Sequence, residues 1–107
     1  PYGIAAEADA IISDNVIENV PGTGITAGWG PYLRDVTISG NLVRDIDTGI
    51  VVSVAEGAGA ASVTGNTIIG ARQNGIVGSA WWDLISSDLA QETERFPQVL
   101  VEGNRVS

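Results

Sequence analysis

The sequence predicts an all-β chain, a right-handed parallel β-helix with about three full coils plus a partial fourth. Two observations carry this. One short phrase recurs four times, as Ile-Ile-Ser-Asp-Asn-Val-Ile at 11–17, Thr-Ile-Ser-Gly-Asn-Leu-Val at 37–43, Ser-Val-Thr-Gly-Asn-Thr-Ile at 62–68 and Leu-Val-Glu-Gly-Asn-Arg-Val at 100–106. Its asparagines, Asn15, Asn41, Asn66 and Asn104, lie 26, 25 and 38 residues apart, and the first three are followed eight or nine residues later by Gly24-Ile25, Gly49-Ile50 and Gly75-Ile76. A period of this kind marks a solenoid.

Each coil is built from short strands. Aligned on the asparagine, Ile12, Ile38, Val63 and Val101 form one apolar column, Ile17, Val43, Ile68 and Val106 a second, and Ile25, Ile50 and Ile76 a third. Three columns imply three inward walls, and the polar residues alternating with them give the period of a strand with one buried face. Strands that recur in one orientation stack in parallel, about 4.8 Å apart. Their crossovers favour the right-handed form. The whole of 1–107 is then one β-helix segment, with coils at about 10–35, 36–60, 61–98 and 99–107.

The asparagines fall between the first and second walls, where the chain turns. Asn tolerates left-handed backbone, and stacked Asn side chains can bond from coil to coil, so the row reads as a structural turn ladder. A ligand role for it is the alternative, although turn chemistry accounts for every copy. Gly24, Gly49 and Gly75 read as bends, because no helix follows them to make a phosphate loop. Glu18 stacks under Arg44 as an exposed ion pair, and Asp47 with Arg72 repeats the pattern. Asp45 shares its slot with Asn19 and Gly70, which marks a bend.

Composition narrows the functions. The 107 residues include 44% hydrophobic residues and 14 Gly but one Phe, which suits a narrow core of small aliphatic side chains. With no Cys and no His, thiolate zinc sites, disulfides and imidazole-based nucleophile pairs are excluded within these residues. Thirteen acids against five basic residues give a net charge of −8, which opposes nucleic acid. No cofactor is identified; a hard cation such as calcium, or a neutral or cationic ligand, suits the charge better. No stretch has the length of a membrane span.

Variation falls after the third wall of each coil. The first excursion is Gly28-Trp29-Gly30-Pro31-Tyr32-Leu33-Arg34-Asp35, the second runs from Ala55 to Ala60 with Glu56, and the third is an insertion from about Ser79 to Gln98. Stacking brings the three side by side, together with all three Trp and Tyr32. Within 80–97, Leu84, Ile85, Leu89 and Phe96 suggest a short amphipathic helix ended by Pro97. One reading packs Trp81 or Trp82 under that helix. The other makes Trp29, Tyr32 and Trp81 or Trp82 a wall for a sugar ring or flat cofactor, with Arg34, Asp35, Glu56 and Asp83 as polar contacts. No catalytic motif is visible. An inverting glycosidase needs two carboxyl groups about 6.5–9.5 Å apart, for which Asp35, Asp45, Asp47, Glu56 and Asp83 are the candidates; scattered acids on a solvated face are the default.

The aligned Ile-x-x-Asn-x-Ile and Gly-Ile units resemble the right-handed parallel β-helix superfamily of pectate lyases, mannuronan epimerases and NosD-like proteins. More narrowly, Asp14-Asn15-Val16-Ile17-Glu18-Asn19-Val20, Gly28-Trp29-Gly30, Tyr32-Leu33-Arg34-Asp35 and Gly49-Ile50-Val51-Val52-Ser53-Val54 resemble a family of proteobacterial repeat proteins exported by the twin-arginine pathway. That resemblance covers nearly the whole chain and implies a periplasmic or secreted location. The chain departs from it in having no signal segment, initiating Met or evident end caps, so it reads as part of a longer solenoid whose remaining coils are its partners. The leading expectation is a non-catalytic scaffold that binds an oligosaccharide or polysaccharide. The alternatives are part of a lyase, epimerase or hydrolase with its cleft on the loop edge, and a cofactor-binding repeat, which the resemblance also suggests. An enzyme requires two carboxylates, or a carboxylate and Arg34, beside the aromatics. A binding module requires only an exposed aromatic wall, and a pure scaffold requires the aromatics to be packed away.

Overall fold

The computed structural model describes residues 2–107. In chain order the strands are β1 (Tyr2–Ala6), β2 (Ala8–Ser13), β3 (Val16–Glu18), β4 (Thr23–Ala27), β5 (Arg34–Ser39), β6 (Leu42–Arg44), β7 (Thr48–Ser53), β8 (Ala61–Thr64), β9 (Thr67–Ile69), β10 (Asn74–Ala80), β11 (Asp83–Ser86), β12 (Val99–Glu102) and β13 (Arg105–Val106). They form three sheets, ordered β1-β4-β7-β10-β11, β2-β5-β8-β12 and β3-β6-β9-β13. Every pairing is parallel except β10 with β11. The molecule is therefore all-β, with stacked parallel sheets that each take one strand per repeat, an arrangement compatible with a β-helix.

The three apolar columns are the register of these sheets. Ile12, Ile38, Val63 and Val101 are successive partners in the second sheet, as are Ile17, Val43, Ile68 and Val106 in the third. Ile4, Ile25, Ile50 and Ile76 line up in the first. All are buried except Ile4, which is half-buried, and Val106, which no further strand covers. Strand β1 lies before the first predicted coil, and its Gly3-Ile4 pair is one more copy of the repeated dipeptide.

The asparagine ladder forms with complete bonding inside the stack. Asn41 Oδ1 accepts from the backbone N–H and Nδ2 of Asn15, Asn66 Oδ1 from those of Asn41, and Asn104 Oδ1 from those of Asn66, at 2.9–3.0 Å. The second amide hydrogen of Asn41, Asn66 and Asn104 is donated to the preceding repeat, to the carbonyls of Ile12, Ile38 and Val63. The left-handed residue is not the asparagine but its predecessor: Asp14, Gly40, Gly65 and Gly103 have φ of 58°, 67°, 64° and 65°. The slot shared by Asn19, Asp45 and Gly70 is left-handed too, at 58°, 56° and 70°. Both expected ion pairs are present, Arg44 Nε to Glu18 Oε2 at 2.6 Å and Arg72 Nε to Asp47 Oδ1 at 2.8 Å.

Two expectations need correction. Gly24, Gly49 and Gly75 sit inside β4, β7 and β10 rather than at bends. A Cβ on Gly49 would meet Gly75 O at 2.7 Å and Ile68 Cδ1 at 2.8 Å, so these positions demand space. The predicted helix in 80–97 is also absent. The chain instead turns at Trp81-Trp82, returns as β11 against β10, and continues through 3-10 turns at Leu89–Gln91 and Thr93–Arg95. The open edge of β10 offers backbone partners that a helix would forgo, so tertiary pairing overrides the apolar spacing. Of that spacing only Leu89 is fully buried, while Leu84 and Ile85 are 56% and 38% exposed.

Candidate functional site

The outer face of the first sheet carries a groove of about 650 Å³. Its floor follows from the repeat. The residue before each Gly-Ile pair gives the row Tyr2, Thr23, Thr48 and Asn74, and the residue after each pair gives Thr26, Val51 and Val77; both rows line the groove. Trp29, Trp81, Trp82 and Leu84 form a wall at the far end of the strands.

Local chemistry holds that wall. The 3-10 turn Gly30–Tyr32 follows Trp29, with Pro31 in its first turn. Gly30, at φ 53°, leaves room for an indole: a Cβ there would lie 2.4 Å from Cη2 of Trp81. Its carbonyl accepts from the buried Ser53 Oγ at 2.6 Å, which fixes the turn to β7. Trp81 takes the first position of a two-residue hairpin at φ 57°, where glycine is usual and a bulky side chain is strained by about 1–2 kcal/mol. Edge contacts offset that strain: Trp81 meets Trp29 at 5.6 Å and Tyr32 at 6.5 Å between ring centroids. Trp29 also meets Trp82, at 4.5 Å.

The aromatic residues are therefore gathered but not packed away. Trp82 is 89% exposed, Tyr32 59% and Trp81 47%, and neither Trp of the pair lies under a helix. The four polar candidates are elsewhere. Arg34 pairs with Asp9, whose carboxyl the guanidinium hydrogen bond holds below its usual range; the same bond, with the Asp9 and Asp35 charges, raises Arg34. Asp35 is an exposed left-handed kink in β5, at φ 50°. Glu56 sits in an exposed turn, and Asp83, exposed at the start of β11, does not line the groove.

Among the described residues no charged side chain lines the groove, and no three carboxylates cluster as a cation site would require. Asp47, at the corner preceding β7, is held below its usual range first by the Arg72 hydrogen bond and also by Gly22 N–H. Glu92 is lowered by the Ser86 hydroxyl and then by Arg95, a cluster that pins β11 to the turns behind it. Sequence reasoning missed Tyr2, Thr23, Thr48 and Asn74. Their signal was present, since each stands immediately before a Gly-Ile pair.

Repeats wound into stacked parallel sheets, with a groove on one outer face, define a β-helix-like repeat protein. Over residues 2–104 the chain matches the family described as "Protein of unknown function (DUF1565)", a β-helix-like family, and it belongs to that family. No curated protein and no solved structure matches it.

Proposed function

We propose that this chain is a right-handed parallel β-helix segment of an exported, periplasmic or secreted protein, and that it binds carbohydrate without transforming it. The observation that carries the reading is the groove itself: an exposed indole wall beside rows of hydroxyl and amide groups, with no carboxylate or guanidinium among the described residues that line it. Indole faces suit the apolar faces of sugar rings, and short polar side chains suit their hydroxyls. Glycosidic cleavage by paired carboxyl groups needs them within reach of the bond, and among the described residues no carboxylate lines this groove. Export rests on the Gly28 to Asp35 stretch and its resemblance to twin-arginine-exported repeat proteins. The remaining coils of the parent chain would pair with the open strand edges of β12 and β13.

The test is oligosaccharide retention by the parent protein carrying Trp82→Ala or Trp29→Ala. Trp82 is so exposed that its removal should leave the melting temperature within about 2 °C, a surface-level effect, while abolishing retention. Unchanged retention by both variants would refute the site. A change in ligand mass after incubation would move the protein to the enzyme class.

A further inference from the structure

We infer that the ligand of this groove is an uncharged oligosaccharide that lies along the stacking axis and is read, coil by coil, by the residue preceding each Gly-Ile pair. This deepens the carbohydrate-binding reading and rests on it.

Axis and charge both come from the repeat. Thr23 and Thr48 are register partners, as are Thr48 and Asn74, so their side chains rise up the sheet at the strand spacing of about 4.8 Å. Beside them runs the parallel row Thr26, Val51 and Val77. A polar row next to a largely apolar row offers an extended chain one hydrogen-bonding edge and one flat face. Thr48 and Asn74 bond to the turns through backbone N–H groups only, to Gly22 O and Asp47 O, and the side-chain bonding between repeats is carried by the asparagine ladder.

Among the described residues an acidic sugar would find no counter-charge in the groove. Of the five arginines, Arg34, Arg44, Arg72 and Arg95 are engaged by Asp9, Glu18, Asp47 and Glu92. Arg105 lies on β13, in a different sheet from the groove. A uronate would have to bring its carboxylate against Val51, Val77 and the indoles without a partner, a costly desolvation. The net charge of −8 adds long-range repulsion. A cationic amino sugar likewise finds no carboxylate in the lining.

The experiment titrates the parent protein with neutral hexasaccharides of gluco, manno, xylo and galacto type and with hexagalacturonate, following tryptophan fluorescence at two ionic strengths. At least one neutral ligand should quench saturably, and hexagalacturonate should bind more than tenfold more weakly. Thr48→Val should weaken the neutral ligand severalfold at unchanged melting temperature, and Thr48→Ser should restore it. Equal or tighter binding of hexagalacturonate would overturn the inference while leaving the groove as a carbohydrate site. Neutral binding that is indifferent to Thr48→Val would overturn the coil-by-coil reading. Silence from every ligand would overturn the binding reading itself, and the inference with it.

Discussion

Replacing Asn41 with Ala measures how much the ladder contributes to the stack. Asn41 is 1% exposed, and its side chain makes four hydrogen bonds. Its Oδ1 accepts from the N–H and Nδ2 of Asn15, while its Nδ2 donates to Ile12 O and Asn66 Oδ1. Truncation deprives two backbone groups, Asn15 N–H and Ile12 C=O, of those partners between coils. At about 1 kcal/mol net for each of the four bonds the loss is about 4 kcal/mol, and any buried group left unsatisfied adds to it. That is a large share of the roughly 5–15 kcal/mol that holds a domain. For a chain of this size it corresponds to a melting temperature lower by about 15–30 °C. Circular dichroism melts would read it, with Arg44→Gln as the comparison, because the exposed Arg44 and Glu18 pair should contribute no more than about 1 kcal/mol. If Asn41→Ala melts no lower than Arg44→Gln, the ladder is ornamental and the reasoning fails.

Gly30→Ala should strike the site while sparing the stack. A left-handed alanine costs about 1–2 kcal/mol, and its Cβ must displace the Trp81 ring, so tryptophan fluorescence should shift and oligosaccharide affinity fall at least tenfold while the far-ultraviolet spectrum stays native; a variant with native emission and affinity would contradict the lock. The acid response follows from Asp9, Asp47 and Glu92, whose folded carboxyls lie below their ordinary values. Such groups add stability above the ordinary carboxylate range, about pH 4, and lose it as pH falls through their lower folded values. Arg72→Gln should therefore flatten the decline of stability below pH 4, and a decline as steep as that of the native chain would show that Asp47 contributes nothing.

The parts legible in the sequence are those that every coil repeats. Ile38 and Val63 have partners above and below at a fixed interval, so their columns could be read by alignment, as could the Asn ladder and the Glu18 and Arg44 pair. Parts set by contact between coils were not legible. The demand for glycine at Gly49 comes from Gly75 O and Ile68, one coil and one wall away, which the sequence shows only as recurrence. Arg34 looked available to a ligand because its partner, Asp9, lies in β2 before the first clear repeat motif. The insertion looked helical because Leu84, Ile85, Leu89 and Phe96 have the spacing, but the free edge of β10 decides its conformation. The excursions supply only the Trp wall of the groove. Its floor lay in the residues before Gly-Ile, where Tyr2, Thr23, Thr48 and Asn74 look like ordinary strand positions until the sheet is assembled.

The most direct measurement is the set of indole N–H resonances of the three tryptophans in a nitrogen–proton correlation spectrum of the protein, selectively labelled at Trp and titrated with the neutral hexasaccharides. Saturable shifts of Trp29 and Trp82, with the same midpoint as the fluorescence quenching, are the predicted result. Fluorescence-silent titrations in which none of the three indoles moves, or binding that shifts backbone signals on the other two sheets alone, would contradict a carbohydrate groove on this face.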